Sequence, residues 1–344
     1  MTWGQRKALQ NRWNDAFLAR KLCETLEVPH EYFVTDLSAE PIEKIFRRFL
    51  TVGEGRIDHI AAYMDGFGMW RTFSDNGIKG VIRGDECFGS PHFRTESEIR
   101  DFIGATMFSD FVELSGGGEF RPNQKFPAAF LRRGDESLEA WRDRMYIEYL
   151  FPYGISALND LKLPYVEIMA PFVSRSIVER MRRLPDLLRT GKTLFKKIVR
   201  SRSPSIPFAK YPAIDLEKGF LRNKRVTDFL LAELESSTCA FILPSKLMNM
   251  IKTSMRSCST RHSPVFDLVQ KAKPFVPARF IPLLKRIIPS RRGINPFDLS
   301  LRLFIVGKMN EILSDDAIAW QRDGTLETYT PPHWVETEYP KLFA

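Results

Sequence analysis

The chain is poor in cysteine and holds no patterned cysteine pairs. Cys23, Cys87, Cys239 and Cys258 are scattered with no CxxC spacing, which argues against a zinc knuckle and a disulfide framework and leaves four free thiols. Long apolar runs are also missing. Phe229–Leu231 and Ile281–Leu284 fall far short of the roughly 20 residues a bilayer-spanning helix needs, so no transmembrane segment is expected. The opening MTWGQRKALQNRWNDAF has basic residues but no continuous apolar centre and no small-residue cleavage site, so no signal peptide is expected and the cytoplasm is the expected location. Acidic charge is scarce in one region in particular. Between Ser245 and Gly293, 11 Lys or Arg stand against Asp267 alone, within a net charge of +9. That segment is a candidate for contact with nucleic acid, nucleotide or an anionic membrane; the competing reading is the solvated face of a helical subdomain. Its stretch FVPARFIPLLKRIIPSRR mixes apolar and basic residues, but three internal prolines argue against one continuous amphipathic helix.

What is present suffices for a globular core, with 44% hydrophobic residues over 344 positions. Phe17, Leu18, Leu22 and Leu26 recur at helical spacing from Ala16, and EYFVTD follows as a short strand. Pro41 suits a first helical position, ahead of an apolar stripe of Ile42, Ile45, Phe46 and Phe49. Ile57–Phe73 reads as one further helix, ended by the Asn76–Gly77 turn, and Ile78–Ile82 as a strand. Strands alternating with helices predict βαβ crossovers and a parallel sheet. Later segments read as mostly helical: Leu138–Leu150 and on to Leu158 with a break at Pro152, Ser174–Leu184, Gly191–Val199, Val226–Leu234 and Leu299–Leu313. A loop is marked by Pro204, Pro207 and Pro212, and the tail from Thr328 carries no chemical signal.

The chemistry concentrates in Gly80–Phe93, GVIRGDECFGSPHF. An apolar strand runs into a glycine turn with adjacent carboxylates, Asp85 and Glu86. In open α/β sheets ligands bind at the C-terminal ends of strands, and a carboxylate pair there suits a metal–phosphate site. Cys87 beside them has only His92 nearby in sequence as a base, and reads better as a small buried filler than as a nucleophile. A second RGDE, Arg133–Glu136, precedes a helix, where acidic residues favourably meet the helix dipole.

These features together resemble the synthetase domain of the asparagine synthetase family, which includes β-lactam synthetases and lasso-peptide cyclases. Asp15-Ala16-Phe17-Leu18-Ala19-Arg20, with Leu26 and His30-Glu31, looks like the family's helix and "HHE" strand entry. GVIRGDECFG is similar to "VLSGEGADELFGGY", keeping Asp85, Glu86, Phe88 and Gly89. Val166-Glu167-Ile168, Pro171-Phe172, Ile177-Val178-Glu179 and Leu184-Pro185 look like "LEVRFPFLD…LVE…LP". Gly191-Lys192, Leu194, Pro204, Ile206 and Lys210 resemble "GK…LR…LP…I…K". The order holds from about residue 15 to 212, and then the likeness fades.

The resemblance implies a parallel-sheet α/β core of the PP-loop ATP pyrophosphatase type in residues 1–212, truncated at its start, with residues 213–344 a helical, basic extension. It implies carboxylate adenylation by ATP, release of pyrophosphate, and attack by ammonia or an amine. Developing oxyanion charge calls for Mg²⁺ and cationic side chains at the phosphates. By position, Asp85 would ligate Mg²⁺, Gly84 and Glu86 would line the cofactor turn, Lys192 would contact pyrophosphate, and Lys210 would stabilise the acyl-adenylate.

Four departures limit the likeness. The family's SGGxDS loop, source of backbone donors and a second metal-binding aspartate, should precede the Asp15 helix on its own strand, and the chain starts too late to hold it. The SGGGEF at Ser115–Phe120 lies after the GDE turn and has Glu119 and Phe120 in place of Asp and Ser. Arg83 fills a gap where the GDE motif has lost an acidic residue, and Met169 and Ser174 replace the family's arginine and aspartate. The family's N-terminal glutaminase cysteine is absent, residue 2 being Thr, so ammonia would come from elsewhere. The expected carboxylate is small, aspartate being commonest in the family, and these 344 residues alone are expected not to adenylate it. A non-catalytic binding protein and an RNA-binding PP-loop relative stand as alternatives.

Overall fold

The computed structural model describes residues 1–87, 89–110, 124–202, 205, 207–214, 219–236, 239, 242–258 and 295–323. Phe88, the SGGGEF segment, Pro204, Ile206, the basic stretch beyond Cys258 and the tail from Thr328 lie outside the described residues. The fold is α/β, mostly helical with short parallel strands. Strand β1 (Thr2–Gly4) is followed by helix α1 (Asp15–Thr25) and strand β2 (Tyr32–Val34), and β1 and β2 pair in parallel, Trp3 opposite Phe33. Helices α2 (Ile42–Gly53) and α3 (Gly68–Asp75) lead to β3 (Gly80–Ile82), which pairs in parallel with β4 (Glu167–Met169), Val81 opposite Ile168. The chain divides into two compact units, one of residues 1–92, 132–220 and 308–344, the other of residues 93–131 and 221–307.

Helix α2 shows why the first unit folds where it does. Ile42, Ile45, Phe46, Phe49 and Leu50 fall on one face and are buried. Each large side chain so buried stabilises the fold by about 1.5–3 kcal/mol. Phe49, Tyr63 and Phe67 continue this core as a chain of tilted rings.

The single helix expected over Ile57–Phe73 is interrupted. A 3₁₀ turn at Ile60–Tyr63 gives way to left-handed residues at Gly66 (φ 71°) and Phe67 (φ 64°) before α3 begins. Of the apolar face expected there, Ile60, Ala61, Met64, Phe67 and Met69, all but Ala61 are buried, and Ala61 is half-buried. The break has a tertiary cause. Asp65 accepts from the N–H groups of Phe67 (3.1 Å) and Met69 (2.9 Å), capping the new helix, while the Gly66 carbonyl accepts from buried Arg48 (3.0 Å) and from Arg71 (2.8 Å). Glycine suits residue 66 because of its left-handed φ of 71°, and an added Cβ there would also push aside the Glu40 carboxylate that Arg48 holds.

Helix α4 (Glu96–Phe102) belongs to the second unit, and α5 (Leu138–Met145), capped by Ser137, to the first. The break expected at Pro152 is instead absorbed by a π-helix, Tyr146–Ile155, which runs into α6 (Ser156–Asp160). A wider turn tolerates the missing proline N–H without ending the helix. After β4 come α7 (Arg175–Arg182), α8 (Asp186–Arg189) and α9 (Thr193–Arg202). The second unit packs α10 (Lys224–Glu235) and α11 (Ser245–Cys258), with Leu230, Leu234, Ile251, Met255 and Leu301 buried and Phe229 edge-on to Phe304. The last described helix, α12, spans Pro296–Asp323. Among the described residues, no helix is long and apolar enough to cross a membrane.

Candidate functional site

The GDE turn lies where the sequence puts it, directly after the C-terminal end of β3. The Arg83 N–H donates to the Met169 carbonyl (2.7 Å), extending the β3–β4 pairing by one residue before the chain turns away. Arg83 then reaches back, its Nη2 3.1 Å from Oδ1 of Asp85, with the guanidinium over the Trp3 ring of β1. The other oxygen of Asp85, Oδ2, is buried and has no hydrogen-bond partner among the described residues. A buried carboxylate oxygen left unsatisfied costs about 1–3 kcal/mol or more, so this atom is primed for a cation or donor.

Glu86 is held from two sides. Its Oε1 lies 2.6 Å from Nζ of Lys192, and its backbone carbonyl accepts from the Tyr146 hydroxyl (3.1 Å). Burial pushes the Tyr146 phenol up to about 12, with Glu86, Asp85 and Cys87 adding to it, so the hydroxyl keeps its proton and serves as a donor. The loop and the lysine are stitched together by two backbone bonds, Gly89 N–H to the Arg189 carbonyl and Gly191 N–H to the Ser90 carbonyl, both 2.9 Å. Beneath them, buried Arg142 donates to the Pro91 carbonyl (2.8 Å), Thr190 Oγ1 (3.2 Å) and Asp143 (2.7 Å), and Asp143 also pairs with Arg189 (3.0 Å). This cluster ties the residue 83–92 loop to the turn that presents Lys192. In that turn Gly191 (φ 62°) and Lys192 (φ 60°) are both left-handed, so α9 begins at Thr193, later than the helix expected from Gly191.

A third carboxylate, Asp15, feels the charge of Lys192. Asp15 is the first residue of α1, following the Asn14 cap whose side chain accepts the Ala16 N–H (3.0 Å). Burial pushes the Asp15 carboxyl up, and the positive charge of Lys192 works against that shift. Lys192 therefore acts electrostatically on Asp15 while paired to Glu86. A strand before α1 is present: β1 and the residue 5–14 connection precede Asp15, and β1 pairs with β2 across α1. The connection, QRKALQNRWN, contains no glycine.

Lys162 is a further charged neighbour. It is 2% exposed, its Nζ lies over Trp70, and its hydrogen bond is to Asn159 Oδ1 (3.3 Å). Burial lowers its amine to about 7; Arg83 pushes the same way, while Asp85 and Asp160 resist.

The residues singled out from sequence thus divide. Asp85, Glu86 and Lys192 come together. Gly84 is exposed in the same turn, and an added Cβ there meets nothing within 4 Å, so the protein's own packing does not demand glycine. Lys210 is elsewhere in its contacts: its N–H donates to the Trp13 carbonyl (2.9 Å) and its Nζ sits 4.1 Å from the Trp13 ring centroid, beside the start of α1. Cys87 is buried and gives its Sγ–H to the Phe172 carbonyl (3.4 Å), while His92 bonds Glu139 (2.6 Å), so the pair forms no nucleophile–base couple. In the second RGDE, Glu136 is spent on Arg144 (2.8 Å). Arg83, Tyr146 and Lys162 enter the site through tertiary packing that no local pattern announces. Asp15 did carry a signal, as the residue that opens an amphipathic helix.

Among the described residues, no group of three or more His, Cys, Asp or Glu side chains is gathered to hold a metal ion by itself. The donor set fits Mg²⁺ in its usual form, in which one or two carboxylates share the ion with phosphate oxygens and water. Asp85 Oδ2 is the atom that fits this role. No protein-family model matches the chain, and neither a curated protein nor a solved structure matches it.

Proposed function

We propose that this chain is of the asparagine-synthetase-like, ATP-dependent amide-forming ligase type and binds Mg·ATP at the turn after β3, on a PP-loop-type core; the missing SGGxDS loop makes a partial form, inactive by itself, the expectation that pyrophosphate exchange tests. The observation that carries the reading is the Lys192–Glu86 ion pair (2.6 Å) beside Asp85 in the same turn, with one Asp85 oxygen buried and bare. Asp85 would hold Mg²⁺, and Asp15 would stand in for the second metal-binding aspartate that the family carries on its SGGxDS loop. The ion would supply neutralisation of phosphate charge as a carboxylate oxygen displaces pyrophosphate. Lys192, released from Glu86, would face the departing pyrophosphate. Glu86 and Tyr146 hold the turn's backbone, and Lys210, kept beside α1 by Trp13, would act on the acyl-adenylate only after leaving that ring. Small carboxylates such as aspartate are the first substrates to try, with ammonia or an amine as acceptor.

The Arg83–Asp85 ion pair (3.1 Å) favours a second reading, a non-catalytic nucleotide-binding protein, because an internal cation already neutralises half of the metal-binding carboxylate. Carboxylate-dependent exchange of labelled pyrophosphate into ATP separates the two. Exchange with any small carboxylate supports the ligase. Mg·ATP binding with no exchange across a broad carboxylate panel supports the binding protein. Absence of Mg·ATP binding overturns both.

A further inference from the structure

The stretch from Arg175 to Arg202 carries ten Lys or Arg and two acidic residues, Glu179 and Asp186. It forms α7, α8 and α9, and no residue of α7 or α9 is fully buried. The two acids and Glu148 are committed: Glu179 to Arg175 (2.7 Å), Asp186 to Arg189, and Glu148 to Arg182 (3.1 Å). Arg180, Arg183, Lys197, Arg200 and Arg202 are exposed, and among the described residues none of them makes an ion pair. Within each helix these unneutralised cations sit on successive turns and repel one another, a cost that a polyanionic partner relieves.

The turn that leads into α7 touches the start of α9. The ring of Phe172, just before α7, meets Phe195 of α9 edge-on at 6.3 Å. On α9, Lys196 and Arg200 lie over the Phe208 ring at 5.8 and 5.4 Å, which restricts the stem of Arg200 while leaving it exposed. Ile177, Val178 and Met181 are half-buried on the side of α7 opposite Arg180 and Arg183, and Leu194, Phe195 and Val199 on the side of α9 opposite Lys197 and Arg200, with Arg202 at the end of the helix. The outward arcs are therefore basic and polar, and Leu187 and Ile198 are the only large apolar residues exposed on the stretch. A lipid surface asks for an outward apolar stripe flanked by cations. Phosphodiester chains ask for exposed guanidinium groups.

We infer that the α7–α9 surface binds the sugar-phosphate backbone of a nucleic acid. Neither the ligase reading nor the basic stretch beyond Cys258 enters into this. The test is fluorescence anisotropy of the full chain with a labelled single-stranded RNA 20-mer and with duplex DNA, across 50 to 200 mM salt. The variants are Arg180→Gln/Arg183→Gln and Lys197→Gln/Arg200→Gln/Arg202→Gln, whose exposed positions leave the core untouched; circular dichroism checks that. With four to six phosphates engaged, log affinity for single-stranded RNA should fall with log salt at a slope of about −3 to −4, roughly a 50-fold or greater loss over that range. Combining both variants should weaken binding at least tenfold and flatten the slope, and the tighter of the two probes names the nucleic acid. No binding by the parent chain, binding that ignores salt, binding equal in the folded combined variant, or attachment to phosphatidylserine vesicles in place of either nucleic acid would each overturn it.

Discussion

Lys192 reaches Glu86 across Gly89: an added Cβ at residue 89 would lie 2.2 Å from Cγ of Lys192, while the amine beyond it sits 2.6 Å from Oε1 of Glu86. The absence of a side chain at Gly89 is what lets the lysine lie over the loop. Gly89 also has φ 106°, a left-handed conformation that L side chains rarely adopt.

Gly89→Ala should therefore act on binding as well as on stability. The backbone penalty is about 1–2 kcal/mol, visible as a lower urea midpoint. Displacement of Lys192 should weaken Mg·ATP binding by roughly tenfold, the scale of one charge-assisted hydrogen bond discounted for partial exposure. Lys192→Met should give the same binding loss with little change in midpoint. Equal binding by both variants and the parent would show that Lys192 does not face phosphate.

Lys162 should leave a signature in the pH dependence of stability. The unfolded chain keeps this proton up to the ordinary lysine range near 10.5, whereas the folded chain releases it near 7. Between those values the unfolded state binds more protons, so stability rises with pH, by about 1.4 kcal/mol per pH unit from this group; below 7 the full cost of the buried charge is present. Urea unfolding of the parent between pH 7 and 9.5 should show that climb. Lys162→Met should remove it and be the more stable protein at pH 6.5; parallel slopes would contradict the buried-amine account.

Arg48 is the structural counterpart, 2% exposed and bonded to Glu40 (2.8 Å) and the Gly66 carbonyl (3.0 Å) while lying over Phe67. Removing one partner of such a pair strands the other, and Arg48→Met should cost about 3 kcal/mol, somewhat less than a fully buried pair because Glu40 keeps some solvent. Chemical denaturation measures it. A loss below about 0.5 kcal/mol, typical of surface substitutions, would show that the break before α3 does not depend on this bond.

The contrast between these residues explains what the sequence revealed and what it hid. The stripe of Ile42, Ile45, Phe46 and Phe49 is a local pattern, and so is the glycine turn after the apolar run at Val81–Ile82; both are where the spacing puts them. Asp85, Glu86 and Lys192 could be paired only through the family resemblance, because Glu86 and Lys192 meet across the fold. The interruption at Gly66 was hidden, since its cause is the reach of Arg48 and Glu40 from α2 and its approach. Strand β1 was hidden because three residues, TWG, are too few to recognise as a strand. Lys162 was hidden for the same reason as Arg48: burial of a long cation is decided by what packs around it.

The most direct test of the central claim is calorimetric titration of ATP into the full chain and into Asp85→Asn, with Mg²⁺ and with excess EDTA. The bare Oδ2 of Asp85 predicts binding by the parent in Mg²⁺, loss of that binding in EDTA, and at least a tenfold weaker, Mg²⁺-insensitive interaction for Asp85→Asn. Binding that is the same in EDTA, or the same in the folded Asp85→Asn variant, would contradict it.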